Sequence, residues 1–314
     1  MEQVMCKRCV MDNTDPDIIF DKNGFCNHCT EAIRELSSFP FNLTKLQKEE
    51  ELKKIISTIK KRGTRHKKYD CVVGVSGGVD SSYVIYLVKK FGLRPLAVHL
   101  DNEWDTEISV NNIESILKKE NIDFINQKVN WEEFRDIQLS FLKAGVPDLE
   151  IPSDHAIFTY LFEVAAKNNI RYVINGSNTA TESILPLRWS NGLSDWKYIK
   201  YIQKKFGSKK IETFPINGVF NVLKTHLIKR IKNIRILNYI DYNKEETLKI
   251  LEKEYSYKRY NKKHGESVYT YFLQSYILPK RFNFDKRKGH LSSLICSNQI
   301  TRDEALTSLK KELL

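Results

Sequence analysis

The run Ser76-Gly77-Gly78-Val79-Asp80-Ser81-Ser82 has the residue types and order best suited to chemistry on an anion. Two glycines let a backbone lie close against a ligand. Ser76, Ser81 and Ser82 add hydroxyl donors, and Asp80 offers a carboxylate of the kind that takes a Mg²⁺ bridging phosphates. An apolar stretch, Cys71–Val75, precedes the run. Tyr83, Leu87, Val88 and Phe91 follow it on one helical face, and Gly92 can close that helix. The pattern predicts a buried strand, a tight turn and a helix start. The first N–H groups of a helix lack internal partners, and its dipole favours negative charge, so the junction is expected to cradle phosphate. Ser76, Asp80 and Ser81 are the candidate catalytic residues. The run lacks a Gly-Lys-Ser/Thr ending, which argues against transfer of a γ-phosphate. The competing reading is an ordinary glycine-rich turn between a strand and a helix.

A second constellation lies at the N-terminus. Four of the six cysteines form Cys6-x2-Cys9 and Cys26-x2-Cys29, sixteen residues apart. This spacing is close to that of zinc sites. Four thiolates fill a tetrahedral shell and leave no open position, so a Zn²⁺ here is expected to be structural. Two disulfides or an iron–sulfur centre are the alternatives. His28 is expected beside the site rather than in it. Cys71, in an apolar strand, and Cys296, in the apolar helical stretch Leu291–Cys296, are expected to be inert.

The elements that must position these groups can be read along the chain. Residues 1–35 form the cysteine knuckle, with a turn over Asp12–Asp17. Residues 36–68 hold an amphipathic helix and a basic linker. That helix has a capping box at Thr44/Gln47, an apolar stripe of Leu52, Ile55, Ile56 and Ile59, and a stop at Gly63. Residues 69–185 alternate strand and helix. Strands are expected at 71–75, 94–100, 122–129 and 171–175, with helices from 79, 107, 131 and 153. This describes an α/β fold, a doubly wound parallel sheet. In such sheets ligands lie beyond the carboxyl ends of strands at the switch point. Three strand ends therefore matter: the glycine run, Leu100-Asp101-Asn102-Glu103, and Asn175-Gly176-Ser177-Asn178. Leu100, Asp101 and Asn102 are placed to meet the base or ribose of a nucleotide, and Gly176 permits close backbone approach.

Residues 186–314 are expected to be mostly helical and to bind substrate or partner, with helices at 217–231 and 243–254. Aromatics cluster over 189–206 and suit either a stacking surface or helix packing, the latter being the commoner use. Nine Lys/Arg alternate with nine Tyr/Phe over 255–290. Lys280, Arg281, Lys286 and Arg287 are its candidate contacts to a phosphorylated or nucleotide-linked substrate. A solvated basic segment is the alternative. A capping box at Thr301/Glu304 starts a terminal helix.

The net charge of +12 fits an anionic partner, whether nucleic acid, nucleotide-sugar or membrane surface, and fits a lysine-rich solvated surface equally. No apolar run approaches the ~20 residues of a membrane span. The segment MEQVMCKRC has no apolar signal core, so a cytoplasmic location is expected.

Three regions together resemble the N-acetyl-sugar amidotransferases of lipopolysaccharide O-antigen and pseudaminic-acid-type sugar biosynthesis, within the PP-loop ATP pyrophosphatase (N-type) superfamily. They are Cys6-Lys-Arg-Cys9 with Cys26-Asn-His-Cys29, the Ser76–Ser82 loop, and the tail from Leu278-Pro-Lys-Arg-Phe through Asp285-Lys-Arg-Lys-Gly-His290 to Thr301-Arg-Asp-Glu-Ala-Leu306. The resemblance implies that ATP adenylates the amide oxygen of a sugar N-acetyl group and that ammonia then displaces AMP, leaving an acetamidino group. It implies an N-acetylated sugar or nucleotide-sugar substrate. It also implies ammonia from a glutaminase subunit of the class I amidotransferase type. Neither Cys71 nor Cys296 sits in a context for cysteine glutaminase chemistry, which agrees with a separate subunit. The third strand end reads Asn175-Gly176-Ser177, where relatives are expected to carry Gly-Glu-Asn. The alternative is a PP-loop tRNA-modifying enzyme of the thiolase type, but no C-x-x-C follows residue 29, and nucleic acid is not expected as the partner.

Overall fold

The computed structural model describes residues 4–63, 68–190, 195–218, 229–260 and 265–313. Apolar β-rich segments become the buried strands. These are β1 (Cys71–Gly74), β2 (Pro95–Asp101) and β4 (Tyr172–Asn175). Flanking them at the edges are β3 (Phe124–Lys128) and β5 (Lys232–Arg235), both largely exposed. All pairings are parallel and the order is β3-β2-β1-β4-β5. The chain first builds outward from β1 through β2 to β3. It then returns to the other side of β1 for β4. The switch point therefore lies between the carboxyl ends of β1 and β4, where an open α/β sheet leaves its ligand crevice.

Helices cover both faces. α1 (Asn27–Leu36) belongs to the knuckle, and α2 (Lys45–Arg62) has the expected capping box and ends at Gly63. α3 (Val79–Lys90) and α4 (Glu107–Glu120) link the first strands. α5 (Trp131–Ala144) and α6 (Ile151–Lys167) lead into β4, which is followed by the short α7 (Thr179–Glu182). α8 (Trp196–Phe206) packs on α5, and α9 (Lys244–Tyr255) packs on α3. The tail is helical. α10 (Val268–Phe272) passes through a π-helical turn, Leu273–Ile277, into α11 (Leu278–Phe282), and α12 (Lys286–Cys296) and α13 (Arg302–Leu309) follow.

One core layer joins β1 to α2, α3, α4 and α9 through residues such as Ile59, Val73, Ile85, Val88 and Leu251. A second, with Val72, Leu96, Leu161 and Val173, lies under α6. A third cluster packs the knuckle cysteines with Ile184, Trp189, Leu278 and Phe284, so the first and last parts of the chain share one apolar body. The aromatics of 189–206 serve packing in part. Trp189 is buried and stacks on Phe284 at 4.7 Å, and Tyr198 meets Phe141 edge-on, whereas Tyr201 is exposed. The expected helix at 217–231 covers residues 219–228, which lie outside the described residues.

Candidate active site

The glycine run sits where the sheet order requires it. Val75 N–H donates to Val98 O, extending β1 by one residue, and the chain then turns into α3. Gly77 takes φ +73°, and a Cβ there would stand 2.5 Å from Ser109 O of α4, so only glycine fits this bend. Ser81 Oγ accepts from Ser76 N (3.2 Å), contacts Ser76 Oγ (3.1 Å) and donates to Gly78 O (3.1 Å). Gly78 N lies 3.4 Å from Ser76 Oγ. Gly78 is the N-cap of α3 and offers no side chain, leaving the first helical N–H groups free of a capping oxygen. Asp80 lies in the first turn, and Tyr242 donates its hydroxyl to Asp80 Oδ1. Burial and then Asp80 push the Tyr242 phenol far above its usual range, so it acts as a neutral donor.

The other two strand ends flank the loop. A Cβ on Gly176 would stand 2.8 Å from Asp80 C and 2.9 Å from Ser81 N. Close approach at Gly176 is therefore to the backbone of α3 itself. Asp101 Oδ1 accepts from Glu103 N, and Asn102 Oδ1 accepts from Trp104 N, so both side chains fold the 101–104 turn. Leu100 is buried in a side cluster with Phe134 and Ile137. His99 was not singled out in the sequence. Its Nδ1 reaches Val75 O at 2.7 Å and its Nε2 reaches Asp105 Oδ2 at 3.0 Å. Two acceptors need two N–H donors, hence an imidazolium. Burial opposes that charge most, but the Asp105 carboxylate, the Val75 carbonyl and Asp101 together outweigh it and raise the His99 pKa.

The four tail cations do not converge on one ligand. Arg281 donates to Leu142 O (3.0 Å). Arg287 forks onto Asp285 and donates to Lys311 O (2.8 Å). Lys280 is exposed. Lys286 pairs with Glu150 Oε2 at 2.9 Å. α6 enters β4 through a tight turn, so its N-terminus, with Glu150 and Asp154, faces the carboxyl edge of the sheet. Burial, then Glu150 and Asp148, push the Asp154 carboxyl up to about 8. Burial opposes the charge of Lys286, but Glu150, Asp148 and Asp154 more than compensate. This mixed cluster is a long-range product of α6, α12 and the loop between α5 and α6. Its only local signal is the acidic run Asp148-Leu-Glu150.

The four N-terminal cysteines are buried, and their Sγ atoms all lie within 4.8 Å of one another. Cys6 Sγ is 3.7 Å from Cys29 Sγ, and Cys9 Sγ is 3.5 Å from Cys26 Sγ. These distances are too long for disulfides, whose sulfurs lie ~2.05 Å apart, and near the ~3.8 Å edge of a tetrahedron with 2.3 Å Zn–S bonds. Backbone N–H groups of Arg8, Cys9 and Cys26 point at Cys6 Sγ. The donor set fits a tetrahedral thiophilic ion. His28 pairs with Asp15 instead. Arg302 of α13 donates to Cys9 O (3.1 Å) and Cys6 O (3.0 Å), and Lys288 of α12 pairs with Asp12.

The tail is bonded to both loops beside the glycine run. Thr106 N donates to Glu266 O (3.0 Å), and Val268 N donates to Trp104 O (2.9 Å). Ile184 N donates to Ser293 Oγ (3.0 Å), and Ser297 donates to Ala180 O (2.7 Å).

Residues 266–314 match the family model for the C-terminal domain of the WbpG-like LPS biosynthesis proteins. The uncharacterized protein MJ1599 of Methanocaldococcus jannaschii is 27% identical over 173 residues, which cover 54% of this chain and 58% of that protein. The tRNA-specific 2-thiouridylase MnmA 2 of Fusobacterium nucleatum is 32% identical over 119 residues, which cover 35% of this chain and 34% of that protein. The chain thus spans between about a third and three-fifths of the length of these curated relatives. A solved structure of the NH3-dependent NAD synthetase of Campylobacter jejuni aligns with 67% of this chain and 93% of that one, at 16% identity and a TM-score of 0.34. Among the described residues no helix is long and apolar enough to cross a membrane. The chain is thus similar over residues 266–314 to the C-terminal domain of the WbpG-like lipopolysaccharide biosynthesis proteins, and over about a third of its length to a tRNA-specific 2-thiouridylase.

Proposed function

We propose that the chain is an ATP-dependent amidotransferase that converts the N-acetyl group of a sugar or nucleotide-sugar to an acetamidino group. One observation carries this reading: the WbpG-like domain is bonded to the loops after β2 and β4, the two that flank the glycine run. A sugar-specific domain built there is suited to present its substrate to the α-phosphorus of a nucleotide lying along the loop.

The amide oxygen attacks the α-phosphorus, the bond to the β-phosphate breaks, and pyrophosphate leaves. Ammonia then adds to the imidate carbon, AMP departs with the oxygen, and a lost proton leaves the amidine. In this reading backbone amides from Gly77 to Ser81, with the hydroxyls of Ser76 and Ser81, would stabilise the charge that grows on pyrophosphate, whereas Ser82 is buried. Tyr242 fixes the rotamer of Asp80, which would hold a magnesium ion. Such an ion neutralises phosphate charge when bound. Lys286, held by Glu150, would offer a cation to the acceptor. The knuckle would hold Zn²⁺ and lock α12 and α13 through Lys288 and Arg302.

Outside the knuckle, both cysteines are poor nucleophiles. Burial raises the Cys71 thiol far above its ordinary range and that of Cys296 to about 12. Ammonia is therefore assigned to a glutaminase partner. A second reading, tRNA thiolation, rests on the similarity to MnmA 2. It needs a reactive cysteine beside the ATP site, and the same two thiols argue against it. The test is incubation with ATP, ammonium and a panel of N-acetylated nucleotide-sugars, read by mass spectrometry. Replacement of one oxygen by NH in one sugar supports the reading. Turnover of tRNA with none of the sugars changed refutes it.

A further inference from the structure

The glycine run contains one peptide that is held locally only by a long bond, from Gly78 N–H to Ser76 Oγ at 3.4 Å. Gly77 and Gly78 are adjacent, and glycine tolerates both signs of φ, so the plane between them is the easiest in the loop to flip. Its two polar ends point in opposite directions, as in any trans peptide. Whatever holds the Gly77 carbonyl therefore aims the Gly78 N–H.

Two tyrosines about 180 residues downstream hold it. Tyr257 and Tyr260 each donate a hydroxyl to Gly77 O, both at 2.9 Å. A carbonyl oxygen has two lone pairs, and the two phenols occupy both. The rings meet edge-on, 6.3 Å apart at 82°, which sets their hydroxyls side by side. The segment that carries them is clamped to α4. Asn112, almost fully buried, donates from Nδ2 to Lys258 O (3.0 Å) and accepts at Oδ1 from Lys258 N (2.9 Å). Ser115 donates to Tyr255 O (2.7 Å). The same helix abuts Gly77 from below through Ser109. α4 is thus a rack that holds both the loop and the tyrosines that orient it.

We infer that Tyr257 and Tyr260 are positioning residues that lock the Gly77–Gly78 peptide, keeping its N–H beside Ser76 Oγ on the side of the loop read as the cradle for the β- and γ-phosphates. This rests on reading the glycine run as the phosphate cradle. Both phenols touch the Gly77 carbonyl, and Tyr260 Oη also accepts from Asn112 Nδ2 (3.4 Å). Because either hydroxyl can hold the carbonyl, the pair acts redundantly.

The test uses the full chain with Tyr257→Phe, Tyr260→Phe and the double variant, titrated calorimetrically with pyrophosphate and with AMP. Each single variant is expected to bind pyrophosphate no more than ~5-fold more weakly, the scale of one neutral hydrogen bond. The double variant is expected to lose more than the ~25-fold that two independent losses would give. AMP, which lacks the β- and γ-phosphates, should bind all forms within about two-fold. A double variant that binds pyrophosphate as the wild type does, or that loses AMP and pyrophosphate equally, overturns the inference. If the double variant does not fold, Asn112→Ala loosens the Lys258 backbone and leaves both hydroxyls in place. It should weaken pyrophosphate selectively, and unchanged pyrophosphate affinity there is also fatal. Wild type that binds neither pyrophosphate nor ATP would instead bring down the cradle reading itself.

Discussion

Replacing Gly176 by alanine tests whether the loop after β4 sets the position of the phosphate cradle. The new Cβ would stand 2.8 Å from Asp80 C, 2.9 Å from Asp80 Cβ and 2.9 Å from Ser81 N, where ordinary contact begins at 3.4 Å. The obstructing atoms are the backbone and Cβ of the first turn of α3, which cannot swing aside as a side-chain tip can. The helix start must withdraw by roughly 0.6 Å, or the β4 loop must give by as much. Such overpacking costs about 1–3 kcal/mol of stability. The functional loss should be larger in proportion, because a ~1 Å misplacement of reacting groups can cost ~10²-fold. We expect G176A to fold, to melt at a lower temperature, and to bind pyrophosphate at least ~10-fold more weakly, since several loop N–H groups move together. Titration calorimetry reads the affinity and circular dichroism the melt. Gly218→Ala, where an added Cβ meets nothing within 4 Å, is the control and should change neither. A G176A protein with wild-type pyrophosphate affinity would show that contact between α3 and the β4 loop does not govern the cradle.

Asp80→Ala should abolish AMP formation without altering the circular dichroism spectrum, and Tyr242→Phe should lower turnover more mildly by freeing the Asp80 rotamer. Retained turnover in D80A removes that residue from the mechanism. Elemental analysis should find about one zinc per chain, and chelation should lower the melting temperature of the whole chain, because Arg302 and Lys288 tie α13 and α12 to the knuckle. Protein prepared without metal that melts as the zinc form does would contradict a structural ion. Stability should fall as pH rises through the elevated pKa of His99, because the folded state there holds a proton that the unfolded chain releases from about pH 6.5. His99→Asn should flatten that slope in a denaturant series across pH 6–8.5, and an unchanged slope would locate the titration elsewhere.

The sheet from 69 to 175 was readable because its buried strands are apolar runs, and two of its helices, α4 and α5, begin at the side-chain caps Thr106 and Asn130. β5 escaped notice because it is an edge strand. Lys232-Asn-Ile-Arg turns little more than Ile234 inward, so its sequence has no apolar alternation. α1 was equally hidden, since its N-cap is a thiol: Cys26 Sγ accepts from Cys29 N. Within the site, the glycine run and the four cysteines were visible because local spacing defines them. The roles of Tyr242, Tyr257 and Tyr260 were not, because each depends on a contact across 162 to 183 residues. The same limit made Lys286 and Arg287 look like equivalent substrate contacts. Packing gives Lys286 a half-buried carboxylate at the N-cap of α6 and gives Arg287 a neighbour two residues away. Asp101 and Asn102 were correctly placed at a strand end, but their side chains shape the turn.

The central claim is that the glycine run holds the diphosphate that leaves when ATP is split between its α- and β-phosphates. The direct measurement is product analysis with ATP labelled on the γ-phosphate, in the presence of ammonium and an accepted N-acetylated sugar. The label should appear in pyrophosphate in equal amount to AMP, and D80A should release none. Label released as orthophosphate alongside ADP would contradict the account.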